Sequence, residues 1–294
     1  MWAVANTFTA AAQGLPDETT LAAVIGSPIA HSLSPTLLNA AFAAAGLTWH
    51  YTAVEVAPGE AEQALNDMRS TGLGGLSVTM PHKTAVANAV DRCTETATLL
   101  NAVNCVAPQG QELVGHNTDG EGFLGGLAHD ANFTVAGCRA VVLGAGGAAR
   151  AVVLALAQAG ANSVTVINRT AEKAQETAQL AGPIGHTGDH QSLATADLIV
   201  NATSVGMHGG PPGMPCDPTL LHPGQVAIDL IYHPLVTPWM AALKKQDIEA
   251  HNGVSMLLFQ AARAFNLWTN QPAPIEAMEN AVTAALEARS HTAQ

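Results

Sequence analysis

Residues 140–150 read AVVLGAGGAAR, an apolar run that ends in closely spaced glycines and passes into an alanine-rich segment. That order predicts a buried parallel strand over 140–143, a tight turn and then a helix. Gly144, Gly146 and Gly147 carry no Cβ to hold the backbone away from a pyrophosphate at the N-terminus of that helix, so the turn reads as a dinucleotide site. The pattern is Gly-x-Gly-Gly-x-x-Arg. Ala149 stands where the commoner Gly-x-Gly-x-x-Gly fingerprint packs a third glycine between helix and strand, and Ala is tolerated there.

An ordinary βα connection uses glycine for the same backbone reasons, and the next strand separates the two readings. Residues 163–167, SVTVI, predict that strand, and it ends in Asn168, Arg169 and Thr170. NAD enzymes usually carry Asp or Glu at this place, where a carboxylate accepts from the ribose 2′-hydroxyl and repels a 2′-phosphate. Here stand a neutral amide, a guanidinium able to fork onto a phosphate, and a hydroxyl. The set fits NADP, unless Arg169 is only a solvated residue at a strand end.

The chain's 294 residues are enough for two domains, and 48% apolar with 12% charged residues describes a globular, alanine-rich protein. No positively charged segment followed by an apolar block opens it, and no uninterrupted apolar run reaches about 18 residues, so a cytoplasmic location without membrane insertion is expected. Cys93, Cys105, Cys138 and Cys216 form no close pair, which argues against a disulfide framework and a zinc knuckle. His186 and His190 are four apart, but the Thr-Gly-Asp between them is a turn and breaks the helical face that metal ligation at this spacing needs; no metal is expected. A net charge of −12 repels nucleic acid. Repeats and low-complexity segments are absent, and the expected partner is a small molecule, with the protein a monomer or a homodimer.

In so acidic a chain the few cations draw attention, and Lys83 is the only lysine in the first 172 residues. Residues 1–20 read as a loose tail and 22–26 as a first strand, which delivers SPIAHSLSP at 27–35. The hydroxyls of Ser32 and Ser34 can both donate to one carboxylate, and either serine, Ser34 as readily as it binds ligand, can instead cap the helix that follows over 36–45. Strands are expected over 49–56 and 75–79, with a helix over 58–71 between them. The strand at 75–79 runs into Met80, Pro81, His82 and Lys83, which puts Lys83 at a strand's carboxyl edge, where α/β sheets keep their ligand crevices. A helix over 85–91 follows, then a strand over 99–106 and a second polar strand end at 115–120. Asn104 and Asp119 stand out in these, although Asn and Asp also serve as turn residues in such glycine-flanked stretches. Further along, a helix over 171–180, a Gly- and His-rich loop, strands over 197–201 and 225–229, and closing helices over 254–265 and 274–289 are expected.

Taken together, VIGSPIAHSLSP, GLSVTMPHK, NAVNCV, GHNTDG, GAGGAAR, INRT, VNATSVGM, DLIYHP and GVSMLLFQ resemble the shikimate dehydrogenase family, in the family's order and over nearly the whole span 24–260. The resemblance implies two α/β domains: an N-terminal substrate domain over 1–118 completed by 254–294, and a doubly wound Rossmann domain over 119–253 that binds NADP. It implies NADPH-dependent reduction of 3-dehydroshikimate to shikimate, with Lys83 and Asp119 as the catalytic pair. Ser32 and Ser34 would hold the substrate carboxylate; Thr79, Lys83, Asn104, Asp119, Tyr232 and Gln260 would line the rest of the substrate pocket. Gly144, Ala145, Gly146, Gly147, Ala148, Asn168, Arg169, Thr170, Thr203, Met207, Gly253 and Met256 fall where the family touches the cofactor. The chain departs from the family at Leu38, His82, Cys105 and Ser255, none of them a catalytic position, and His82 beside Lys83 bears on local proton affinity. The chemistry agrees with the residues: reduction of a ring ketone needs a proton at the oxygen, and a lysine shielded from water near a carboxylate supplies it. The competing readings are an NAD-preferring quinate/shikimate dehydrogenase, opposed by Arg169, and a non-catalytic ligand sensor, opposed by Lys83 and Asp119.

Overall fold

The computed structural model describes residues 4–292. The chain divides into two compact units, one made of the residues up to Thr118 together with those from Gln260 onward, the other of Asp119–Phe259. The second boundary falls a few residues later than the expected 253/254.

In the first unit seven strands form one mixed sheet in the order β1-β3-β2-β4-β6-β7-β5. They are β1 (Val4–Ala5), β2 (Thr20–Gly26), β3 (Trp49–Glu55), β4 (Gly75–Val78), β5 (Arg92–Cys93), β6 (Cys105–Gln109) and β7 (Glu112–His116). The first four are parallel, as strands joined by helical crossovers are, and β6 and β7 form an antiparallel hairpin beside β4. The helices are α1 (Phe8–Ala12), α2 (Ser34–Ala44), α3 (Ala61–Thr71), α4 (Lys83–Ala89) and α5 (Glu95–Leu100). Leu21, Ala23 and Ile25, alternating along β2, meet Ala61, Leu65 and Met68 of α3 in one apolar cluster, the period-two and helical patterns facing each other.

Two expectations fail here for local reasons. The supposed tail contains β1 and α1: Thr7 caps α1 by accepting from the Ala10 N–H at 3.1 Å, and Phe8 is buried; residues 1–3 of that stretch lie outside the described residues. The strand expected over 99–106 is a helix end followed by a turn. Thr94 caps α5, Asn101 ends it in the left-handed region at φ 47°, and β6 begins only at Cys105.

The second unit is a six-stranded parallel sheet of β8 (Arg139–Leu143), β9 (Ser163–Ile167), β10 (Gly185–Thr187), β11 (Leu198–Asn201), β12 (Val226–Asp229) and β13 (Glu249–His251). The order β10-β9-β8-β11-β12-β13 is the doubly wound Rossmann arrangement, whose switch point lies between β8 and β11. Its helices include α6 (Asp119–Ala131), α7 (Gly147–Gln158), α8 (Ala171–Ala178) and α9 (Pro238–Lys244). Ala149 is fully buried in the same cluster as Val142 and Val164, so the missing third glycine costs no packing. The Gly- and His-rich loop holds β10, an edge strand too short to carry a periodic signal.

From Gln260 on, α10 (Val254–Thr269) belongs with the first unit, as does α11 (Ile275–Thr292), which packs on α2. Phe265 lies 5.4 Å from Phe42, ring to ring, and Trp268 stacks 5.9 Å from Tyr51 while its indole N–H donates to the Val106 carbonyl at 3.0 Å. Gly75 makes that approach possible, since a Cβ there would run into the Trp268 ring. Among the described residues no helix is long and apolar enough to cross a membrane.

Candidate active site

In the first unit, the carboxyl ends of β2, β4 and β7 and the start of β6 lie along one sheet edge, and backbone hydrogen bonds lace the segments that leave them. The Thr79 N–H donates to Ile25 O at 2.9 Å and the Ser27 N–H to Met80 O at 3.0 Å, which ties the segment carrying the two serines to the one carrying Lys83. The Val78 N–H donates to Asn104 O at 2.8 Å, the Val103 N–H to Lys83 O at 2.9 Å, and the Asn104 N–H to His116 O at 3.0 Å. Thr79, Lys83, Asn104 and the start of the serine segment are thereby gathered at one edge. Thr79 also needs Gly26 beneath it, for a Cβ at Gly26 would press on the Thr79 methyl.

The side chains then fill that frame. Asn104 is buried; its Oδ1 accepts from the Thr118 N–H at 2.8 Å, its Nδ2 donates to Thr118 Oγ1 at 3.0 Å, and Thr118 Oγ1 donates to the Gln260 carbonyl at 3.1 Å. The amide orientation is thus fixed, and Thr118, absent from the sequence reading, is what fixes it. Ser34 is not a helix cap. It is the first residue of α2 and nearly buried, and Ser32 Oγ accepts the Ser34 N–H at 3.2 Å. Glu55 Oε2 takes the Ile29 N–H at 3.0 Å and Arg289 donates to His31 O at 3.1 Å, so the serine segment is pinned from both sides. Lys83 does not end a strand: a turn over 79–82 intervenes, Lys83 opens α4, and its side chain is half-buried. The His82 ring is buried with Nε2 2.8 Å from Val56 O. A carbonyl only accepts, so Nε2 carries the hydrogen and the ring ties its turn to the end of β3. Asp119 is buried at the first position of α6, in the second unit.

At the switch point of the second unit lies a cleft of about 980 Å³. Gly144, Ala145, Gly146, Asn168, Arg169, Thr170 and Thr203 line it, together with Lys173, Ser204, Asp189, His190 and Gln191, which the sequence reading missed. Gly144 sits at φ 110°, donates its N–H to Ile167 O at 2.8 Å, and would push a Cβ to 3.0 Å from Ala202 O. Added Cβ atoms at Gly146 and Gly147 would meet nothing, so the first turn of α7 presents bare backbone N–H groups to open space. Asn168 Nδ2 bonds Thr170 O at 3.0 Å and shapes the turn, while Arg169 and Lys173 are exposed. A bare helix N-terminus beside two cations fits a dinucleotide bearing an extra phosphate.

Gly147, Ala148, Met207, Gly253 and Met256 are not among the residues lining this cleft. Gly147 and Ala148 open α7, Met207 is exposed on the loop after β11, Gly253 donates its N–H to Ile231 O at 3.0 Å, and Met256 packs on the unit's core. Tyr232 follows β12, two residues from Leu230, whose N–H donates to Asn201 O at 2.9 Å.

Behind Thr203 runs a buried chain of hydrogen bonds. Thr203 donates its N–H and its hydroxyl to Asn201 Oδ1 at 3.0 and 2.7 Å, Asn201 Nδ2 donates to Asp229 Oδ1 at 2.9 Å, and Thr237 Oγ1 donates to Asp229 Oδ2 at 2.7 Å. Burial holds the Asp229 carboxyl above its usual range, and the bonds from Thr237, the Ile231 N–H and Asn201 offset that only in part. Thr237 also caps α9 through the Met240 N–H at 3.2 Å. Thr237→Val removes both the cap and a hydrogen bond to a buried carboxylate, and should cost about 2–4 kcal/mol of stability. A urea titration reads this as a lower midpoint, and an unchanged midpoint would show that water replaces the hydroxyl at no cost.

Residues 24–106 match the model described as shikimate dehydrogenase substrate binding domain, residues 127–207 that of shikimate/quinate 5-dehydrogenase, and residues 253–283 that of the shikimate 5'-dehydrogenase C-terminal domain. The shikimate dehydrogenase (NADP(+)) of Moorella thermoacetica is 42% identical over 282 residues, covering 92% of this chain and 95% of that protein. A crystal structure of a shikimate dehydrogenase in complex with NADP+ superposes with a TM-score of 0.87 at 33% identity, covering 92% and 97% of the two chains. The Thermus thermophilus shikimate 5-dehydrogenase, in complex with NADP(H) and shikimate, gives 0.84 at 35% identity, covering 91% and 100%. With this identity carried over nearly the full length of both chains, the protein belongs to the shikimate dehydrogenase family.

Proposed function

We propose that this chain catalyses the reversible NADPH-dependent reduction of 3-dehydroshikimate to shikimate. The observation that carries the reading is the lacing of four segments that gathers Thr79, Lys83, Asn104 and the serine segment at one sheet edge, in a chain whose other unit holds the basic-ended dinucleotide cleft. NADPH, when bound, supplies the hydride. Gly144, Ala145, Gly146, Gly147 and Ala148 are assigned its pyrophosphate, Asn168, Arg169 and Thr170 the 2′-phosphate end, and Thr203, Met207, Gly253 and Met256 the remainder. Ser32 and Ser34 are assigned the substrate carboxylate. Thr79, Asn104 and Gln260 are assigned its ring hydroxyls and reacting carbonyl, and Tyr232 completes the pocket. Lys83 gives the proton to the carbonyl oxygen as negative charge develops there, and takes it back in the oxidative direction. Asp119 is assigned the carboxylate that steadies the lysine's charge and accepts from a neighbouring hydroxyl. A biosynthetic step of this kind belongs in the cytoplasm, and size-exclusion chromatography separates monomer from homodimer.

The test is a four-way assay of purified protein: shikimate and quinate, each with NADP and NAD. Shikimate with NADP should give the highest kcat/KM, and a preference for quinate or for NAD would overturn the reading. A narrower expectation concerns the serines. Ser32→Ala and Ser34→Ala should each raise KM for shikimate and leave the NADP Kd unchanged. Only Ser32→Ala should also lose about 0.5–2 kcal/mol of stability, because it removes the acceptor of the Ser34 N–H. A normal KM in Ser34→Ala would take that residue out of the site.

A further inference from the structure

We propose that His190 is a specificity-determining residue that joins Arg169 and Lys173 in holding the phosphate that distinguishes NADP from NAD. The inference rests on the cofactor reading above and concerns one end of the same cleft. Three basic side chains reach that lining from three separate elements: Arg169 from the turn after β9, Lys173 from α8, and His190 from the first position of a short 3₁₀ turn, His190–Thr195, that follows β10. In a chain with 11 lysines and arginines against 23 carboxylates, this grouping is not what composition alone would scatter there. Parallel pairing of β10 with β9 is what brings the segments together, since Thr187 lies opposite Val166 and both strands end at the same edge.

The charged groups lining the cleft, among the described residues, are Arg169, Lys173, Asp189 and His190. Asp189 is the only carboxylate among them. Its Oδ1 is engaged by the Gln191 N–H at 2.9 Å, where it caps the 3₁₀ turn, so it is held as a backbone acceptor beside the histidine. His190 and Gln191 are exposed, so the imidazole can turn toward a ligand without disturbing the core. Histidine is the side chain whose charge changes between about pH 5 and 8, and a phosphate monoester takes its second negative charge near pH 6. A protonated imidazole facing a dianionic phosphate therefore couples NADP binding to the proton the imidazole carries, and NAD, which lacks that phosphate, has no such coupling.

The experiment is isothermal titration of the full-length protein with NADP and with NAD, at pH 6.5 and 8.0, for wild type, His190→Ala and Arg169→Ala. At pH 6.5, His190→Ala should weaken NADP about three- to tenfold and leave NAD unchanged, and at pH 8.0 the difference from wild type should shrink toward none. The ionisation of the phosphate is common to both proteins, so the comparison between them isolates the imidazole. The NAD Kd serves as the control for folding. If His190→Ala keeps the wild-type NADP/NAD ratio at pH 6.5 while Arg169→Ala lowers it, the role of His190 is wrong and the cofactor reading stands. If neither variant changes the ratio, neither Arg169 nor His190 reads the phosphate, and the inference fails together with the assignment of Arg169. An equal loss at both pH values would also overturn the proposal, because a fixed effect would mark a change in the shape of the turn.

Discussion

Lys83→Ala should fold, bind both ligands, and turn over ~10²- to 10⁴-fold more slowly than wild type, the range typical of a lost general acid–base group. The reason lies in what the position does and does not hold up. Lys83 opens α4 with a half-buried side chain, and its backbone carbonyl, which receives the Val103 N–H at 2.9 Å, survives truncation to alanine. The lacing of the sheet edge should therefore remain, while the proposed proton donor is gone. Turnover carries the loss and KM changes much less, which steady-state kinetics on the variant reads directly. Near-normal turnover, with wild-type contamination excluded, would pass the proton role to Asp119. His82 is no substitute, because its ring nitrogen is committed to the Val56 carbonyl in a buried setting.

Arg169→Ala should weaken NADP binding by about 1.5–3 kcal/mol, roughly tenfold to 150-fold, and leave NAD nearly untouched. A guanidinium forks onto phosphate with two parallel hydrogen bonds, and neither the Lys173 ammonium nor an imidazole reproduces that geometry. Direct titration with both cofactors checks it. An unchanged NADP/NAD preference would mean that Lys173, with Asn168 and Thr170, reads the phosphate without the arginine.

The elements with a strong period were legible in the sequence. The strand over 140–143, the glycine turn and the Ala-rich helix stand where their pattern puts them, because alternation and helical spacing report burial on one face. Elements that owe their existence to a neighbour were not. Gly185–Thr187 and Glu249–His251 are three-residue edge strands, and only pairing with β9 and β12 makes them strands. In the site, residues at or shortly beyond strand ends announced themselves by type: a lone lysine, an asparagine, an arginine where a carboxylate is usual. Residues that support them did not. Thr118 looks like any threonine until Asn104 is seen bonded to it, and Lys173 and His190 join Arg169 only through the parallel pairing of distant segments. A hydroxyl at either Ser32 or Ser34 satisfies the same capping rule in the sequence, and only the backbone shows that neither is the N-cap: Leu33 takes that place, and Ser32 accepts the Ser34 N–H just before it.

The proposed reaction moves a hydride between the shikimate carbinol carbon and NADP while Lys83 handles the proton. Shikimate carrying deuterium on that carbon, incubated with the protein and NADP, tests it most directly, with the isotope content of the reduced cofactor read by mass spectrometry. One deuterium should appear in each reduced cofactor formed, at a rate reduced in Lys83→Ala by the same factor as kcat. Reduced cofactor free of deuterium, or no reduction of NADP by shikimate at all, would contradict it.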